Sequence, residues 1–182
     1  MVKNGEACIQ EWLAFHIHSG VQHFYLHLNI DDEGTAAALD PFWPFRPRYV
    51  QAGFVTAEVI QGEGIQGKAY DFCLQKVKQG QLAEWVAFFD VDEYLLGGNH
   101  SCSIDYLQHL DDRASSTVNW RTFSHSNNVL QVPPDRLLIE ANMHTRADSS
   151  EIGMDHHIKS IVNVNRTVSC THPHFCLYEE GW

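Results

Sequence analysis

The chain has 182 residues, 44% apolar and 12% aromatic, and its 23 acidic and 12 basic residues give a formal net charge of -11. This length, with enough apolar residues for a core and no low-complexity tract, excludes a disordered or fibrous chain and points to one folded domain over residues 1–182. Without a Lys/Arg cluster the acidic balance also excludes nucleic acid as a partner, so any phosphate-bearing ligand has to be small or neutralised by a cation.

The opening MVKNGEACIQEW is charged and amphipathic, unlike a signal peptide, and no apolar run approaches the length of a membrane span. From Glu6 to His18 the residues Ile9, Trp12, Leu13, His16 and Ile17 recur at helical spacing, and Gly20 ends the pattern. HFYLHL (His23 to Leu28) reads as a strand closed by the turn-forming run Asn29 to Gly34. The three prolines of PFWPFRPR (Pro41 to Arg48) rule out regular structure there.

FVTAEVI (Phe54 to Ile60) alternates as a strand, and Gln66 to Lys78 follows as a helix with Ala69, Tyr70, Cys73, Leu74 and Val77 on its inner face. WVAFFD (Trp85 to Asp90) is continuously apolar, the pattern of a strand buried on both faces of a parallel sheet, and strand, helix, strand in this order implies a right-handed crossover. Beyond Gly97 and Gly98 come a short helix, SIDYLQHL, and strands at Ser116 to Trp120, Arg136 to Ala141 and Lys159 to Val164, with a polar loop at Ala147 to His157.

Five scattered cysteines with no CxxC pair argue against a disulfide framework and a thiolate zinc site, leaving room for one bridge in an oxidising compartment. The sequons at Asn99 and Asn165 carry weight only in a secretory pathway.

Chemistry concentrates in FFDVDEYLL, where an apolar run breaks into Asp90, Asp92 and Glu93. Ligands of open α/β sheets bind beyond the carboxyl ends of strands, and two aspartates two residues apart can face one hard cation that also neutralises a diphosphate. The structural alternative is a pair of acids capping a strand-to-helix turn. His156 and His157 beside Asp155 suggest a second metal site, but adjacent residues of a strand point opposite ways, which favours a solvated loop.

KNGEACIQEWLAFHIHSGVQHFYLHLN resembles the opening of family 92 glycosyltransferases. The resemblance continues in order through Gln66, Ala69, Tyr70 and Cys73, then WVAFFDVDEYLL, VNWRTF, KSIV and HPHF, over nearly the whole chain. It implies a GT-A fold, a Rossmann-like mixed sheet flanked by helices, and a metal-dependent transfer of sugar from a nucleotide-sugar donor, UDP-linked, to a glycan or other hydroxyl acceptor with inversion.

Carried over residue by residue, Asp90 and Asp92 become the acids of an Mn²⁺ or Mg²⁺ site, with His172 or His174 as a third ligand. Lys3, Asn4, Glu6, Asn29, Gln66 and Lys68 join Asp90 in donor binding, and Trp120 and Phe123 form an acceptor platform. Glu140, ahead of Glu93, is the candidate general base, with Asp135 or Asp155 as loop alternatives.

The family places an apolar strand before this opening, whereas only Met1 and Val2 precede Lys3, so a sheet lacking its first strand is expected. The implied compartment is cytoplasmic for a complete chain and the Golgi lumen, or a membrane-associated position, for a fragment of an anchored enzyme. Two rivals stand beside this reading. One is an inactive relative that binds a glycan or nucleotide without turnover. The other is an aspartate-nucleophile phosphatase, whose DxDGT pattern this chain departs from by continuing as EYL.

Overall fold

The computed structural model describes residues 8–29, 49, 51–96, 104–110, 112–124, 136–142, 144–145 and 157–181. Helix α1 (Ile9–His18) buries Ile9, Trp12, Leu13 and His16, one stripe at helical spacing. It ends where Gly20 takes φ 96° and the Val21 N–H reaches back to the His16 carbonyl at 2.9 Å, a closure that a residue with a Cβ makes poorly.

Strand β1 (Phe24–Asn29) lies parallel to β2 (Val55–Ile60), with Phe24 opposite Val55 and Asn29 opposite Ile60. Phe24, Leu26 and Leu28 alternate onto one face and pack with Val55 and the inner stripe of α1 into a first core cluster. Burying four such side chains is worth on the order of 6–12 kcal/mol before chain entropy is charged.

Helix α2 (Gln66–Gly80) presents Tyr70, Cys73, Leu74 and Val77 to a second cluster with Phe88, Val162, Val164 and Cys170. Its first turn runs so close to a later strand that a Cβ on Gly67 would lie 2.3 Å from the Thr171 carbonyl oxygen. Strand β3 (Trp85–Ala87) and β4 (Ser115–Asn119) flank β7 (Ile158–Asn163), both antiparallel to it. A 3-10 turn (Asp105–His109) lies between β3 and β4.

Small elements complete the fold. Strands β5 (Phe123–Ser124) and β6 (His144–Thr145) pair with each other, helix α3 spans Leu138–Ala141, and β8 (Thr167–His172) forms a hairpin with β9 (Phe175–Tyr178). Cys170 and Cys176 are disulfide-bonded across that hairpin, and Asp71, Gln75 and Lys78 of α2 hydrogen-bond its backbone.

This is a mixed α/β chain, and it departs from the sequence-based expectations in four places. The expected buried parallel strand over Trp85 to Asp90 is only three residues long and antiparallel to β7. The parallel pair is β1 with β2, so no hydrogen-bonded strand–helix–strand crossover runs through α2 into β3. A cleft of about 780 Å³ lies between the β1 and β3 segments, lined by Tyr25, His27, Trp85 and Phe88 among others.

RLLIEA, expected as a strand, turns into α3 because carboxylates satisfy its first amides. Glu11 accepts from the Leu138 and Ile139 N–H groups at 2.6 and 3.1 Å, and Glu140 accepts from Leu137 at 3.4 Å. SIDYLQHL forms the tighter 3-10 turn in place of an α-helix. The expected features at Asn29 to Gly34 beyond Asn29 itself, Pro41 to Arg48 and Ala147 to His156 lie outside the described residues.

Candidate functional site

The apolar register of β3 ends at Phe88, which is buried in the second cluster, and the chain then turns through Asp90 to Glu93. The turn closes on itself. The Glu93 N–H donates to the Asp90 carbonyl at 3.1 Å, and the Asp90 N–H donates to Glu93 Oε2 at 2.9 Å.

Helix α1 holds the far side of the turn. The Trp12 indole N–H donates to the Glu93 carbonyl at 2.8 Å, and the Leu95 N–H donates to His16 Nε2 at 3.3 Å. The His16 ring is enclosed by Trp12, Phe15, Phe89 and Tyr94, and Nδ1 bonds the Trp12 carbonyl at 2.9 Å. Burial lowers the His16 pKa, and only in the neutral ring can Nε2 accept the Leu95 proton.

Lys159, the second residue of β7 and 1% exposed, supplies the cation of the site. Its Nζ lies 2.9 Å from Asp90 Oδ2 and 3.1 Å from Glu93 Oε2, with the Trp120 ring centroid 5.4 Å away. An ammonium in this place needs partners, since stripping it of water unpaired costs several kcal/mol. Removing one partner of such a pair costs about 3–5 kcal/mol when it is fully buried. Asp90 opens further to solvent than Glu93, so the Glu93 pairing is the less screened of the two.

Glu93 shows the opposing effects. Desolvation raises its pKa, while the Asp90 amide and Lys159 pull it back without cancelling the rise. The second Asp90 oxygen faces Gln66, whose Nε2 lies 3.5 Å from Oδ1 and donates to the Tyr70 hydroxyl at 2.8 Å. Burial, then the Asp90 charge, pushes the Tyr70 hydroxyl well above its ordinary pKa, so it stays protonated. Asp92 differs from its neighbours in being exposed, and it makes no hydrogen bond or ion pair among the described residues.

The β8–β9 hairpin docks beside this network. Pro173 accepts from the Ser160 N–H at 2.9 Å and His174 Nδ1 bonds the Ile158 carbonyl, which brings His174 against Trp120 and His157. Burial lowers the His174 pKa, and the Ile158 carbonyl partly opposes this. His172 is exposed and stacks on Phe175 at 4.7 Å.

The structure therefore gathers Asp90, Glu93, Gln66 and, through Lys159, Trp120. It does not gather the expected ligands into a metal cage, since among the described residues no three His, Cys, Asp or Glu converge on one point. Asn29 ends β1 with its Nδ2 donating to the Gly62 carbonyl at 3.3 Å, and its Oδ1 is buried with no hydrogen-bond partner among the described residues. Lys68 is exposed on the first turn of α2, Phe123 is exposed on β5, and Glu140 is exposed on α3. His157 is exposed, as a solvated loop requires, although its ring meets Trp120 at 5.2 Å. Lys3, Asn4, Glu6, Asp135, Asp155 and His156 lie outside the described residues.

Sequence reasoning missed Lys159 as the partner of the acids, together with Trp12, His16 and Tyr70. A signal for Lys159 was present, because a lysine inside the apolar strand IKSIVN requires a carboxylate partner, and FFDVDE is the segment with acids at the end of an apolar strand.

Comparison with known proteins places the chain in a family. A model described as glycosyltransferase family 92 matches residues 6–177. A glycosyltransferase family 92 protein of Oryza sativa subsp. japonica is 26% identical over 95 residues, which are 52% of this chain and 15% of the rice protein. No solved structure matches the chain.

Proposed function

Since the chain belongs to glycosyltransferase family 92, we propose that it transfers a sugar from a UDP-linked donor to a hydroxyl of a glycan acceptor, with inversion, on a GT-A arrangement of its strands. The observation that carries this reading is the turn after β3, where Asp92 is exposed beside an Asp90 held by Lys159 and Gln66. Family membership removes the phosphatase alternative, and pairing with Lys159 leaves Asp90 Oδ2 poorly placed as a nucleophile.

The residues present fit a hard divalent cation. Asp90 and Asp92 offer carboxylate oxygens, and Mg²⁺ or Mn²⁺ is commonly held by one or two carboxylates with substrate phosphates and water completing the shell, so the lack of a three-residue protein cage among the described residues is no obstacle. When bound, such an ion stabilises the charge of the leaving diphosphate. Asp92 is assigned as its direct ligand, with Asp90 beside it and His172 or His174 as further candidates.

Other roles follow from exposure and pairing. Glu93 is occupied by Lys159 and its own turn, which suits an orienting carboxylate better than a base. Glu140, exposed in the first turn of α3, is assigned as the base that takes the acceptor proton. Asn29 offers its Oδ1, which has no hydrogen-bond partner among the described residues, to ribose or base, Gln66 and Lys68 meet ribose and phosphate, and Trp120 with Phe123 borders the acceptor.

Among the described residues no helix is long and apolar enough to cross a membrane. A panel of UDP-sugars incubated with Mn²⁺ and glycan acceptors tests the reading. Acceptor-dependent release of UDP supports it, while binding of nucleotide without release from any donor would place the chain with non-catalytic relatives.

A further inference from the structure

Lys159 carries a charge of the same sign as the cation proposed for the acids beside it. Both of its carboxylate contacts lie within ion-pair distance, at 2.9 Å to Asp90 and 3.1 Å to Glu93, and β7 is fixed on both sides by β3 and β4, so the ammonium has little room to withdraw. Asp90 has a partner on each oxygen, Lys159 on one and Gln66 on the other. Asp92 has neither hydrogen bond nor ion pair among the described residues.

From this geometry we infer that Lys159 is a built-in counter-cation that withholds Asp90 from a free divalent ion and favours the anionic diphosphate, so that metal and nucleotide bind together and metal alone binds weakly. The inference rests on the donor site proposed above. It makes Lys159 a positioning residue, one that acts through Asp90 and Glu93.

The physical reason is the sign of the charge. A divalent ion approaching Asp92 meets one available carboxylate, because the second is neutralised by an ammonium that repels the ion. A diphosphate approaching the same turn meets three carboxylates offset by one ammonium, and the ammonium lessens their repulsion. When ion and diphosphate arrive together, the phosphate oxygens supply the ligands that Asp90 withholds. Removing the ammonium should therefore shift the two ligands in opposite directions, which a purely structural lysine would not do.

The test measures Mn²⁺ alone, UDP alone and the two together by titration calorimetry on the whole chain. Wild type is expected to bind Mn²⁺ at least about tenfold more weakly alone than with UDP. K159M should tighten Mn²⁺ alone by about tenfold and weaken UDP alone. Because K159M leaves two carboxylates without their cation, E93Q/K159M is measured beside it. That pair removes the ion pair as a unit, a change that is often close to neutral for stability, and it preserves the net charge of the turn while freeing Asp90. It too should tighten Mn²⁺ alone.

Unchanged or weaker Mn²⁺ binding in E93Q/K159M, with thermal melting like wild type, would overturn the inference. So would a wild type that binds Mn²⁺ alone as tightly as with UDP. Failure of the donor-site reading shows itself separately, as an absence of UDP binding even with Mn²⁺, whereas the Mn²⁺-alone comparison between variants reports on Lys159 in either case.

Discussion

Replacing His16 with Phe should destabilise the chain most at neutral pH and progressively less in acid. The imidazole makes two hydrogen bonds, to the Trp12 carbonyl and from the Leu95 N–H, inside an aromatic enclosure that a phenyl ring would fill without replacing either bond. At about 1 kcal/mol for each bond, the loss is about 2 kcal/mol. The folded state lowers the His16 pKa through burial, so the neutral ring is the native one. Its contribution is complete above the unfolded value and is lost as pH falls toward the lowered native value.

Below an unfolded pKa of about 6.5, keeping the ring neutral costs the native state a free energy that grows as pH falls, a cost that H16F escapes. Urea unfolding of both proteins should therefore give a difference of about 2 kcal/mol near pH 7.5 that shrinks as pH falls below about 6.5. Comparing the two chains cancels the titration of the other histidines. A difference that stays constant with pH, or grows in acid, would refute the claim that His16 is buried neutral and pins the acidic turn to α1.

Further expectations concern the base, the helix contact and the hairpin. E140Q should lower kcat by a factor of about 10² or more while leaving UDP affinity unchanged, as read by turnover beside calorimetry. G67A places a methyl group against the Thr171 carbonyl oxygen, which helix and strand can relieve only by separating, and should cost about 1–3 kcal/mol in a thermal or urea melt. Loss of the Cys170–Cys176 bridge by C176S should cost about 2 kcal/mol for so short a loop, read as a lowered urea midpoint relative to oxidised wild type.

What the sequence revealed of the fold was its local periodicity. α1, β1 and α2 are legible because each buries a regularly spaced set of side chains, such as Ala69, Tyr70, Cys73, Leu74 and Val77 of α2, whereas β2 and β7 are legible from their branched apolar residues. Pairing is another matter. Trp85 to Phe89 is apolar whether it lies beside a parallel or an antiparallel neighbour, and its partner β7 is more than seventy residues further along. RLLIEA is expected as a strand, while the carboxylate that nucleates the first turn of α3, Glu11, is 127 residues from Leu138.

At the site, the acids stood out at once from their place after an apolar run. Their cation did not, because the link from Lys159 to Asp90 spans 69 residues and leaves no local pattern. Family resemblance ordered these pieces along the chain, and the ion-pair geometry then separated Asp92 from Asp90 and Glu93.

We propose that the turn after β3 holds a metal–diphosphate, and calorimetric titration of the whole chain with UDP, with and without Mn²⁺ and beside D92A, is the sharpest test of it. Binding should require Mn²⁺ and disappear in D92A while the melting temperature stays near that of wild type, since Asp92 is exposed and makes no hydrogen bond or ion pair among the described residues. Mn²⁺-dependent binding that D92A retains at full strength, or no UDP binding under either condition, would contradict it.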